Sequence, residues 1–161
     1  MLSALENDPV NGEFYKNYDP KKEFPAFYGS QFIKDCGKMK RWSISNDKKV
    51  PIDMEILETK ERMVNLSIYA YPHLKTIDEC IAICPVLSNH MFYLQAEVDG
   101  YVVLDIEPNC PEELRESFLK MNFLYAETSM SGKGLHLVFK LPACFSEYPN
   151  AQTKPAMQEE H

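Results

Sequence analysis

Two short stretches hold the residues able to do chemistry. In Tyr101-Val102-Val103-Leu104-Asp105-Ile106-Glu107, an apolar run is interrupted by two carboxylates. In Glu127-Thr128-Ser129-Met130-Ser131-Gly132-Lys133-Gly134-Leu135-His136, two serines and a glycine-framed lysine lead to a histidine. Side chains alternate along a strand, so Asp105 and Glu107 share one face, with Cα atoms roughly 7 Å apart. Val102, Leu104 and Ile106 then turn toward the core. Two carboxylates converging on one point repel unless a cation lies between them. Mg²⁺ and Mn²⁺ take oxygen ligands, and one or two carboxylates plus substrate phosphates suffice. In the second stretch the glycines allow positive φ and close approach of the backbone to a phosphate. Lys133 adds a point charge, Ser129 and Ser131 offer hydroxyl donors, and His136 on the next strand reaches the same triphosphate. The spacing is not that of a Walker A loop. Together the stretches predict a divalent-metal-dependent phosphate site.

The elements that position these residues follow from periodicity and punctuation. Residues 40–45 alternate as a strand, 46–49 form a turn, and 50–52 resume in extended form. Residues 53–75 are mixed, with a short strand predicted around 66–69. Residues 76–84 read as a helix capped by Thr76, with Glu79 three positions on and Pro85 ending it. Residues 91–97 read as a strand, Asp99-Gly100 as a hairpin turn, and 101–107 as the returning strand. Pro111 suits the first turn of a helix over 111–121, which places Leu114, Phe118 and Met121 on one face. Strands over 123–128 and 135–141 come next, joined by the Ser-Gly-Lys-Gly loop. Residues 1–38 read as irregular, an extended arm or short helix packed on the domain, with Pro20 and Pro25 as breakers. After Pro142 the pattern fades, and 146–161 are polar and loose. The expected division is an arm over 1–39 and a single domain over 40–161. The expected fold class is α/β (α+β), a mixed, mostly antiparallel sheet flanked by helices.

Composition narrows the function classes. A chain of 161 residues with 45% hydrophobic and 25% charged residues fits one soluble globular domain. A net charge of −7 is not that of a wholly basic nucleic-acid binder, so any such surface is local or lies on a partner or further domain. No apolar run approaches the roughly 18 residues needed for a membrane span, so no membrane partner is expected. The first eight residues lack the features of a signal peptide. Five dispersed cysteines (36, 80, 84, 110 and 144) predict buried free thiols in a reducing cytoplasm.

A D-x-E strand, a helix, and a strand ending in S-x-S-G-K-G-x-H resemble the archaeo-eukaryotic primase superfamily, more narrowly the primase-polymerase domains of phages, plasmids and integrated elements. Trp42 with Lys48-Lys49-Val50-Pro51 resembles that family's early W…K-x-P segment, and residues 74–80 its short helix before the acidic strand. The resemblance covers roughly residues 40–142. It implies metal ligation by Asp105 and Glu107, and contacts from Ser129, Ser131, Lys133 and His136 to the incoming nucleotide. Lys49 is a further nucleotide-binding candidate, and Asp105, Glu107 and His136 form the catalytic set. The implied cofactor is Mg²⁺ or Mn²⁺, the substrate a nucleoside triphosphate, and the partners a DNA template and a replicative helicase domain or replisome protein. The implied setting is the cytoplasm of a bacterial or phage-infected cell. The family also supplies a third metal carboxylate on a later strand. Here the chain ends at His161, which predicts a domain truncated at its C-terminus, with Glu159, Glu160 or the nearer Glu127 as that acid.

Two functions are expected. One is two-metal nucleotidyl transfer to a 3′-hydroxyl on a DNA template. The other is a non-catalytic module of the same descent, binding nucleotide or protein to regulate or inhibit a replication or defence complex. A rolling-circle initiator is disfavoured, because His73, His90, His136 and His161 never form an H-x-H pair.

Overall fold

The computed structural model describes residues 12–46, 48–86 and 89–142. The fold is α+β, with two small antiparallel sheets and several short helices. Between Tyr93 and Leu94 the chain divides into two units.

The first unit begins with four short helices, α1 (Gly12–Asn17), α2 (Pro20–Glu23), α3 (Pro25–Gly29) and α4 (Gln31–Cys36). Pro20 and Pro25, expected to break regular structure, instead open α2 and α3. A first-turn residue needs no amide donor, and the ring presets a helical φ. Asp19 caps α2, its carboxylate accepting from the Lys21 amide at 3.0 Å. Two hydrogen bonds tie the end of α4 to residues farther along the chain. The Trp42 indole donates to the Cys36 carbonyl at 2.8 Å, and the Ile77 amide to that of Gly37 at 3.0 Å. Residues 20–39 thus pack within the first unit.

Strand β1 (Trp42–Ile44) is buried along its length and pairs antiparallel with β2 (His90–Phe92), Trp42 opposite Phe92. Asn46 organises the expected turn, its side-chain oxygen accepting from the amides of Lys48 and Val50. Helix α5 (Met54–Lys60) lies where the sequence pattern is mixed. Its signal is Asp53, whose carboxylate accepts from Ile56 N at 3.0 Å, with buried Met54 and Leu57 after it at helical spacing. The other Asp53 oxygen bonds His73 Nδ1 at 2.8 Å. No strand forms over 66–69; a single bridge joins Asn65 to Ile52. Helix α6 (Ile77–Ile83) is capped by Thr76, which accepts from Glu79 N at 3.1 Å, as expected. Ile44, Ile52, Met54, Leu74 and Ile77 form the core with the thiols of Cys36, Cys80 and Cys84. Burial pushes the Cys80 thiol up to about 12, so it is an inert packing residue.

The second unit opens with the largest departure from expectation. The strand predicted over 91–97 stops at Phe92, and α7 (Ala96–Asp99) takes its place as one helical turn. Asp99-Gly100 therefore closes a helix instead of a hairpin. Gly100 has φ 73°, its amide bonds the Ala96 carbonyl, and the Asp99 carboxylate accepts from Gln95 N. A left-handed glycine serves either structure, so the dipeptide alone does not distinguish them. Strand β3 (Tyr101–Ile106) pairs with β5 (Leu135–Lys140), which also pairs with β4 (Tyr125–Thr128). The order is β3-β5-β4, antiparallel throughout. Helix α8 (Glu112–Leu119) connects β3 to β4.

Burial centres on the middle strand, where Leu137 and Val138 are enclosed, joined by Ile106. Val102, expected in the core, is exposed, as are Leu114 and Met121 from the apolar face expected of a helix over 111–121, which ends at Leu119. A three-stranded sheet covers its central strand far better than its edges. Cys36, Cys80 and Cys84 are buried, Cys110 is half-buried, and Cys144 lies outside the described residues. Among the described residues no helix is long and apolar enough to cross a membrane.

Candidate functional site

The second unit's strand register places Asp105 directly opposite His136, and His136 directly opposite Glu127. Cross-strand partners project to the same face, so three strands deliver an acid, an imidazole and an acid in one row. His136 Nδ1 lies 3.0 Å from Glu127 Oε1, and His136 Nε2 lies 3.6 Å from Asp105 Oδ1. The second Glu127 oxygen accepts from the Tyr125 hydroxyl at 2.8 Å. Burial, and next the neighbouring Glu127 charge, push the Tyr125 phenol above its ordinary range, so it remains a donor. Asp105 is the outermost member of the row, its side chain 60% exposed against 32% for His136.

The loop after β4 is built from its own hydroxyls. Ser129 Oγ accepts from Gly134 N at 3.0 Å and lies 3.0 Å from Ser131 Oγ. Gly132, at φ 76°, donates its amide to the Ser129 carbonyl, and Lys133 N reaches Ser131 Oγ at 3.4 Å. The amides of residues 132–134 are therefore engaged within the loop. One serine proton is spent between the two hydroxyls, which leaves the other for a ligand. The exposed Lys133 supplies the positive charge.

Gly134 makes a close backbone approach, but to protein: a Cβ there would lie 2.9 Å from the Ile106 carbonyl oxygen and 3.2 Å from Ser129 Oγ. Gly134→Ala is expected to destabilise the second unit by about 1–3 kcal/mol, because the obstruction is the neighbouring strand's backbone. Urea melts of wild type and variant measure this, and equal midpoints would contradict it.

Glu107 falls just past the end of β3, where its carbonyl accepts from Cys110 N at 3.0 Å. Lys49 belongs to the first unit, at the turn after β1, with a left-handed φ of 62°. Glu159 and Glu160 lie outside the described residues. Among the described residues no group of three or more His, Cys, Asp or Glu side chains is placed to hold a metal ion. Each Glu127 oxygen meets one partner, Oε1 the His136 ring and Oε2 the Tyr125 hydroxyl. Two carboxylates are the donor type that a hard ion would take, with water and phosphate completing its shell.

Sequence reasoning considered Glu127 only as a spare metal ligand and gave Tyr125 no role. Their two-residue spacing was visible, but the register that brings Glu127 to His136 was not. The chain matches none of the known protein-family models, and no curated protein matches it.

Proposed function

We propose that this chain is a primase-polymerase-type nucleotidyltransferase domain, binding a nucleoside triphosphate on the open sheet face of the second unit. The observation that supports this most is the placement of His136. It lies beside the acid of the D-x-E strand, on the strand that leaves the Ser-Gly-Lys-Gly loop. In this reading Asp105 and Glu107 would hold Mg²⁺ or Mn²⁺, which supplies charge neutralisation and a lowered pKa for an attacking 3′-hydroxyl. Lys133 and one serine hydroxyl bind phosphate oxygens. His136 Nε2, the ring nitrogen on the side of Asp105, orients the triphosphate. The reaction joins the 3′-oxygen to the α-phosphorus and releases pyrophosphate. A DNA template, a helicase domain or replisome protein, and the cytoplasm of a bacterial or phage-infected cell complete the proposal.

A second reading, a nucleotide-binding module without synthesis, is favoured by the hydrogen bonds of Glu127 to Tyr125 and His136, which give that carboxylate a positioning role.

Calorimetric titration with a nucleoside triphosphate and Mn²⁺ tests both. Lys133→Ala is expected to weaken binding by about tenfold to more than a hundredfold, the equivalent of about 1.5–3 kcal/mol for a charge-assisted bond. His136→Ala is expected to weaken it too, with melting temperatures unchanged in both. Asp105→Ala/Glu107→Ala should abolish the Mn²⁺ dependence. No binding by folded wild type would remove the nucleotide site, and binding without primer extension selects the second reading.

A further inference from the structure

We infer that Glu127 is the positioning residue of His136, and that it fixes which ring nitrogen faces a ligand. A carboxylate only accepts hydrogen bonds, so the 3.0 Å contact to Glu127 Oε1 makes Nδ1 the proton-bearing atom. That leaves Nε2 directed to the side of Asp105, beyond hydrogen-bond length at 3.6 Å. Glu127 is itself held. Its other oxygen accepts from Tyr125, two residues earlier on the same strand and on the same face. The phenol's retained proton keeps that bond in the donating sense. The chain Tyr125–Glu127–His136 thus runs from β4 to β5 and ends at an imidazole nitrogen beside the acidic strand. A carboxylate behind a histidine commonly sets its tautomer and ring orientation, and losing it costs a ligand site about 10–100-fold in affinity.

The role assigned to Nε2 rests on the nucleotide-site reading; the tautomer does not. Ring ¹⁵N spectra of the full chain, recorded without nucleotide at a pH where His136 is neutral, test the tautomer directly. Wild type is expected to carry its proton on Nδ1. Glu127→Gln should preserve that state, because the amide oxygen accepts the same hydrogen bond. Glu127→Ala should move the proton to Nε2. Should the alanine variant unfold, Glu127→Leu, which keeps most of the volume, carries the same comparison. Mn²⁺ affinity is expected to be equal in wild type, Glu127→Gln and Glu127→Ala. Nucleotide affinity should fall about tenfold in the alanine variant and recover in the glutamine variant. An Nε2-protonated ring in wild type, or a tautomer indifferent to Glu127→Ala, would overturn the inference. So would Mn²⁺ affinity lost in both variants, which would make Glu127 a metal ligand. Failure of wild type to bind nucleotide would end the nucleotide-site reading, and the spectra would still decide the role of Glu127.

Discussion

Trp42→Ala is expected to lower the stability of the first unit by about 4 kcal/mol, within the range of about 3–5 kcal/mol for emptying an aromatic core position. Trp42 is 4% exposed, and its ring packs against Phe92 with centroids 5.0 Å apart and edge-on to His90. Its backbone is hydrogen-bonded to Lys75 in both directions, so the strand has little freedom to collapse into the space. The indole bond to the Cys36 carbonyl is the smaller part of the effect, because that oxygen keeps the amide of Met39. Trp42→Phe separates the two contributions, since it retains an aromatic ring and loses the donor. Urea unfolding monitored by circular dichroism gives both differences. A loss below about 1 kcal/mol for the alanine variant would contradict this account of the core. The tryptophan singled out by the family resemblance therefore has a structural role in this chain.

Acid is expected to destabilise the first unit through His90 by about 3 kcal/mol. Burial holds the His90 imidazole down at about 4, against about 6.5 for an unconstrained side chain. The unfolded chain then binds the proton more readily than the folded one. The contribution is fully present above about pH 6.5 and is lost as pH falls from there toward 4. The groups facing the ring explain the depression. Tyr28 Oη lies 2.7 Å from Nε2, and the rings of Phe27 and Trp42 stack on it or meet it edge-on. The Tyr28 phenol is itself pushed above its ordinary range, chiefly by burial, so it supplies no negative charge to stabilise an imidazolium. Carboxylates elsewhere also contribute to acid unfolding, so the diagnostic quantity is a difference. His90→Phe should remove about 3 kcal/mol of the stability change between pH 7.5 and pH 4. Identical pH dependence in wild type and variant would show that His90 is not the responsible group.

The sequence by itself determined the elements whose signals are local. Thr76 with Glu79 marked the start of α6, and Asn46 marked the turn after β1. The apolar runs of 101–107 and 135–141 marked β3 and β5, and with them the positions of Asp105 and His136. Capping and periodicity act within a few residues, so their free energies are written into short windows of sequence. Pro20 and Asp99-Gly100 were equally visible but ambiguous, since a proline opens a helix as readily as it ends one, and a left-handed glycine closes a helix or turns a hairpin. Only the tertiary structure decided that β2 pairs with β1, and that β3 pairs with β5, which lies beyond α8 and β4 in sequence. The burial of β1 and the exposure of Val102 were consequences of those choices. The same holds for Glu127. Its place on a strand was legible, but its contact with His136 required one register of β4 against β5. A shift of one residue would have turned it to the opposite face. Strand partner and register are fixed by the total burial each pairing achieves across distant segments, a quantity that no local stretch of this chain contains.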